Sequence, residues 1–390
     1  MSPAYPIEST QPAAIPAPKT GGGEKGFYIP SLDGLRAFSI LIVFLSHAGM
    51  SHVVPGLFGV TIFFFLSGYL ITTLLRLEWE RHGRIHLGQF WIRRVLRIFP
   101  PLYLVLGVVT LLTVTGALKM EHGGELRAEA VLAQAFYFAN YYDIAHPHAF
   151  PPGTAVLWSL AVEEHFYLLF PLLYIFLQQR VRNRAHQAAW LWGLCGVVLA
   201  WRFILVFALH QLEAPGAGYG YIPRIAHATD TRLDAILLGC ILAIQGNPVL
   251  DPTRISRQHW LYLWLPVAVV TLLVTFVCRE AWFRETFRYS LQGLAMFPIF
   301  IAAIRFPDWP PFRLLNWAPV KWIGLLSYTL YLTHSSIYIA LGQWVEGIHP
   351  LAQGVLAAVF SIGVSALIYQ FLEKPCADLR KRLSAKFAKA

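Results

Sequence analysis

The stretch Leu32-Asp33-Gly34-Leu35-Arg36-Ala37-Phe38-Ser39-Ile40-Leu41-Ile42-Val43-Phe44-Leu45-Ser46-His47 decides how this chain is read. No residue between Arg36 and His47 is charged. At ~100° per residue the eleven steps between them turn ~1,100°, about 20° past three full turns, so both side chains share one helix face. At ~1.5 Å per residue they stand ~16 Å apart along the axis, roughly half a bilayer. An apolar helix with a cation near its entry and an imidazole well inside it is a functional candidate, because ionisable groups are costly within a membrane. A plainer reading makes Arg36 a snorkelling interface anchor and His47 a neutral, hydrogen-bonded bundle residue. Spacing by itself leaves both open.

The rest of the chain fits a membrane setting. Its 390 residues are 56% hydrophobic, 15% aromatic and 13% charged, where a soluble domain carries about 25% charge. Ten apolar segments are expected at about 34–53, 56–77, 95–116, 156–178, 188–210, 232–246, 260–278, 288–305, 321–342 and 351–372. Most reach the ~20 residues that a span needs, and the sixth is short. The fold class is therefore all-α, a polytopic membrane bundle of about ten transmembrane helices. Segment 127–142 is moderately apolar and reads as a re-entrant or interfacial helix instead of a span.

Residues 1–28, rich in Pro and Gly, read as a disordered tail without the pattern of a signal peptide. Residues 29–376 form the transmembrane domain and 377–390 a basic tail. The formal net charge of +10 is concentrated in alternate loops. Arg76, Arg81, Arg84, Arg93, Arg94 and Arg97 lie between the second and third segments. Arg180, Arg182 and Arg184 follow the fourth, Arg254 and Arg257 the sixth, and Arg305, Arg313 and Lys321 the eighth. By the positive-inside rule these loops and both termini are cytoplasmic. No aromatic-interleaved basic patch points to nucleic acid. The four cysteines, Cys195, Cys240, Cys278 and Cys376, have neither metal nor disulfide spacing.

Five constellations could carry chemistry. Arg36 with His47 suits a phosphate-bearing donor and a proton acceptor further along. In Phe90-Trp91-Ile92-Arg93-Arg94-Val95-Leu96-Arg97, Arg94 and Arg97 share a helix face, either as topology anchors or as a clamp for an anionic nucleotide. Trp158-Ser159-Leu160-Ala161-Val162-Glu163-Glu164-His165-Phe166-Tyr167 puts two carboxylates and a tyrosine at a membrane edge. Glu163 and Tyr167 are placed to orient His47 or to bind a sugar hydroxyl, unless this is simply a solvated helix end. Arg232 and Asp234 either pair with each other or meet substrate. His334, in Ser327-Tyr328-Thr329-Leu330-Tyr331-Leu332-Thr333-His334, is a second histidine inside a span. There is no Walker loop, GxSxG elbow, HExxH helix or DxD-like pair, and no metal is expected.

Taken in order, these elements resemble the acyltransferase-3 family of bacterial integral membrane O-acyltransferases. Further matches are Phe64-Phe65-Leu66-Ser67-Gly68-Tyr69, Arg97-Ile98-Phe99-Pro100 and Glu373-Lys374-Pro375, so the resemblance covers about residues 29–376. It implies transfer of an acyl group, often acetyl, from cytoplasmic acyl-CoA to a hydroxyl of an extracytoplasmic or membrane-linked carbohydrate or glycolipid. The enzyme would lie among the lipids of the bacterial inner (plasma) membrane. On this reading His47 is the general base, a transient acyl-histidine being the less favoured variant, and Glu163 orients or charge-stabilises it. Arg36, Arg93, Arg94 and Arg97 bind the CoA donor, and Asp33, Glu164, Tyr167, Arg232, Asp234 and His334 are assigned to substrate. The fused esterase-like domain of some members is not expected here, which places the whole mechanism in the bundle. A transporter or flippase is the alternative class, with intramembrane Arg, His and Glu forming the path; no internal two-half repeat argues for it.

Overall fold

The structure, a computed structural model, describes residues 28–213, 222–253 and 255–387. Nearly all of the expected Pro/Gly tail, together with Arg254, lies outside the described residues. The ten expected segments all appear as helices. In chain order they are α1 (Pro30–Leu45), α2 (Gly56–His82), α3 (Leu87–Val114), α4 (Trp158–Arg180), α5 (Arg184–Phe203), α6 (Thr229–Ile244), α7 (Leu265–Val277), α8 (Phe287–Arg305), α9 (Ala318–Trp344) and α10 (Pro350–Ile368). A further helix, α11 (Lys374–Phe387), packs on α3. There is no strand among the described residues.

Eight of these helices, some lengthened by flanking turns, are long and apolar enough to cross a membrane. The exceptions are α6, with 16 residues, and α9, whose 27 residues include the polar series Ser327, Thr329, Thr333, His334, Ser335 and Ser336, all buried. The bundle is thus inside-out. Val270, Val274 and Val277 of α7 and Val355, Val359 and Leu367 of α10 are exposed, a surface suited to hydrocarbon. The buried positions, by contrast, include several polar side chains. Segment 127–142 forms no single helix. Ala128–Ala135 and Ala139–Ala145 are separate short helices broken at Tyr137, whose φ is +61°.

Two contacts fix the frame around the site. Where α2 crosses α6, a Cβ on Gly68 would overlap the Ile236 carbonyl and one on Gly239 the Phe65 carbonyl, so both positions need glycine for backbones this close. At the basic end, Arg76 Nη1 donates to Asp251 Oδ2 at 2.9 Å and Arg305 Nη2 to the Asp251 carbonyl at 2.6 Å. Arg184 Nη2 reaches Glu80 at 2.5 Å. Four of the alternate basic loops therefore meet at one end of the bundle.

Burial would raise the Asp251 carboxyl, but the hydrogen bond and charge of Arg76 outweigh it and hold the group below the usual carboxylate range. A depressed folded value contributes stability above the unfolded value of ~3.9, and that contribution is lost as pH falls through the still lower folded value. The Asp251→Asn protein is therefore expected to melt below wild type at pH 7, with the gap closing as pH drops under ~4. A gap that stays constant with pH in thermal melts would show that the carboxylate charge is not what matters.

Candidate active site

A cleft of about 780 Å³, open solvent included, lies among α1, α2, α3, α4 and α9. Arg36, Arg94, Arg97, Glu163 and Glu164 supply its charge, and Ser67, Ser159, Tyr167, Ser327, Tyr328 and Tyr331 its hydroxyls. Helical periodicity explains why α3 gives two cations at once, since Arg94 and Arg97 are one turn apart. Arg93 points elsewhere, to Glu78 at 3.4 Å, and is absent from the lining. The expected four-arginine group is therefore three arginines with Arg93 set aside.

The cations are poorly paired. Arg94 lies between the rings of Phe90 and Tyr167, at 5.6 and 5.5 Å, and its Nε has no hydrogen-bond partner among the described residues. Arg36 Nε is likewise buried and unpartnered. Glu163 is better satisfied: Ser67 donates to it at 2.9 Å and Tyr167 at 2.6 Å. Glu164 Oε1 is buried without a partner. Unmatched donors around a confined space make a site for an anion. Asp33 stays at the rim of α1, where the Tyr28 hydroxyl donates to it at 2.9 Å.

The histidines form a second centre. The regular part of α1 ends at Leu45, and His47 occupies a wider π-type turn, Ser46–Met50, broken at Ala48 and at Gly49 with φ +86°. His47 Nδ1 is 2.9 Å from the Val43 carbonyl and 3.4 Å from His334 Nε2. Neither histidine lines the arginine cleft. Tyr331 separates the two regions. It lines the cleft, its hydroxyl is 2.6 Å from Ser159, and its ring centroid is 5.8 Å from that of His334. The expected contact of Glu163 with His47 is not found, since Glu163 is bonded to Ser67 and Tyr167. Glu121, on the turn that follows α3, accepts from the Gly153 amide at 3.1 Å and exerts only a minor electrostatic influence on His47.

Arg232 and Asp234 are buried away from the cleft and do not pair with each other. Arg232 lies over the Tyr289 ring at 3.8 Å and donates to Thr61 at 3.0 Å. Asp234 is held by Arg202 at 2.6 Å and by Ser290 at 2.6 Å, with both members of the ion pair fully buried. Sequence reading passed over Arg202, although an arginine inside the apolar run of α5 is the signal that marks such a residue. The sequence assigned no site role to Ser67, which lines the cleft and donates to Glu163.

Residues 29–370 match the family model described as an acyltransferase domain. The chain belongs to this acyltransferase family. It is 31% identical over 365 residues to the peptidoglycan O-acetyltransferase OatA of Listeria monocytogenes, covering 89% of this chain and 56% of that protein. With the O-acetyltransferase OatA of Staphylococcus aureus it shares 31% over 373 residues, 93% of this chain and 58% of that protein. The putative peptidoglycan O-acetyltransferase YrhL of Bacillus subtilis is 31% identical over 369 residues, covering 89% and 55%. The chain thus spans a little over half the length of the curated relatives it matches. No solved structure matches it.

Proposed function

We propose that this family member is a membrane O-acyltransferase that takes an acetyl group from acyl-CoA at the basic, cytoplasmic end and passes it to a hydroxyl of a cell-envelope carbohydrate, peptidoglycan being the first acceptor to try. The observation that carries this reading is the cleft with three arginines, two of which keep unpartnered buried Nε groups, in a chain similar to peptidoglycan O-acetyltransferases. The phosphates of CoA supply the missing acceptors, and Arg36, Arg94 and Arg97 bind them. The acyl end points past Tyr331 toward the histidines.

There His47 Nε2 takes the proton of the acceptor hydroxyl while its oxygen attacks the thioester carbonyl. The carbon–sulfur bond breaks, the thiolate leaves with CoA, and the proton ends on its sulfur, giving ester and CoASH. The apolar walls around the path keep water from the thioester. Glu163 and Tyr167, bonded to each other, and Glu164 act at the cleft, on the donor side.

The test is release of free CoA from acetyl-CoA by the full chain in nanodiscs, with and without a peptidoglycan or crude envelope glycan extract. Glycan-dependent release is expected. None, with folded protein and several acyl-CoAs and glycans tried, overturns the reading. A charge-assisted hydrogen bond is worth ~1.5–3 kcal/mol, so Arg94→Ala or Arg97→Ala should each weaken acyl-CoA binding roughly 10- to 100-fold. Arg93→Ala should leave it unchanged, because Arg93 faces Glu78. Calorimetric titration showing equal losses for all three would remove the cleft as the donor site.

A further inference from the structure

The two histidines can be assigned their tautomers from backbone geometry. A carbonyl oxygen only accepts. His47 Nδ1, 2.9 Å from the Val43 carbonyl, therefore carries a hydrogen, and its Nε2 keeps the lone pair. His334 Nδ1 lies 2.9 Å from the Tyr331 carbonyl and 3.1 Å from that of Leu330, so it too carries a hydrogen and its Nε2 has the lone pair. That nitrogen is the one 3.4 Å from His47 Nδ1. The rings meet nearly edge-on, with centroids 5.0 Å apart at 73°.

We infer that His334 is the positioning partner of His47 and does not bind the acceptor. Its Nδ1 is engaged by two carbonyls and its Nε2 faces His47, so no ring nitrogen is left for substrate. The side chain is 1% exposed, held between the rings of Phe44 at 6.2 Å and Tyr331 at 5.8 Å. His47 Nδ1–H is shared between Val43 and the lone pair of His334, which fixes the tautomer with Nε2 free. When Nε2 takes a proton, the new imidazolium still points Nδ1–H at that lone pair. The place usually held by a carboxylate in a base–orienter pair is filled by a neutral imidazole. Glu121 contributes charge from the turn after α3, and the hydroxyl of Tyr331, the titratable neighbour on α9, is turned to Ser159 and Val156.

The inference rests on the proposed acyl transfer for its kinetic test and stands apart from it in a spectroscopic one. Both use the full chain in nanodiscs. His334→Gln carries an acceptor oxygen to about the position of Nε2. His334→Asn mimics Nδ1 and offers nothing toward His47. The expected result is a fall in kcat of ~10²-fold for Asn and a much smaller one for Gln, with the KM values for acyl-CoA and glycan unchanged. A rise in the KM for glycan at unchanged kcat would make His334 an acceptor ligand and overturn the inference, as would equal losses of kcat for Gln and Asn in proteins that melt like wild type. Nitrogen-15 shifts of the His47 imidazole should show protonated Nδ1 in wild type and a larger share of the other tautomer in His334→Asn, where the Val43 carbonyl is the remaining partner of Nδ1. If His334→Asn leaves that tautomer fixed, the inference fails whether or not the protein transfers acyl groups.

Discussion

Replacing His47 with alanine is expected to lower glycan-dependent CoA release by ~10²–10⁴-fold, the usual worth of a positioned general base. The loss should fall on kcat. Donor affinity should stay near wild type, because Arg36, Arg94 and Arg97, which we propose bind the donor, line a cleft that His47 does not reach. Folding should survive as well, since His47 is exposed in a turn already broken at Gly49 and removing it opens no cavity in the core. Thermal melts and acyl-CoA titrations on the same sample separate these effects. Full activity in a folded His47→Ala protein would leave the acyltransferase reading in place and end the role of His47 as its base.

The second large effect is on stability. Asp234→Ala leaves Arg202 as an uncompensated cation with no exposure, and breaking a buried ion pair in this way costs ~3–5 kcal/mol. Arg202 Nη1 would keep its bond to the Thr231 carbonyl, at 2.9 Å, which does not offset a charge. The variant should express poorly or melt far below wild type. The double substitution Arg202→Met with Asp234→Leu removes both charges and should recover most of the loss, because well-packed apolar side chains replace buried ion pairs at little cost. A double variant no better than the single one would mean that the pair does more than neutralise itself.

On the proposed function, two neighbouring centres of one bundle divide the work, with Tyr331 between them. Arg36 and Arg94, with unpartnered Nε groups, line one of them, and the proposed acyl-CoA would bind there. The histidine pair lies beyond Tyr331. Because the Tyr331 hydroxyl is bonded to Ser159 and to the Val156 carbonyl, the boundary between the two centres is itself hydrogen-bonded, and α9 contributes residues to both.

The sequence by itself determined the class of fold. Long apolar runs with little charge have one stable form in a membrane, the helix, and all ten runs became helices. Family membership was legible for the same reason that the bundle was, since the motifs recur at the ends of those runs in a fixed order. Sequence also placed Arg94 and Arg97 together, because residues three apart share a helix face whatever surrounds them. Only the tertiary structure decided which groups meet across helices. Arg93 and Arg94 are neighbours in the chain, yet one faces Glu78 and the other the cleft, since adjacent residues on a helix diverge by ~100°. Asp234 chose Arg202 over Arg232, two residues away, because α5 brings its arginine to the facing side of α6. His47 gained His334 and not Glu163, because the π-type turn after Leu45 and the position of α9 beside α1 are facts of packing that no spacing rule encodes.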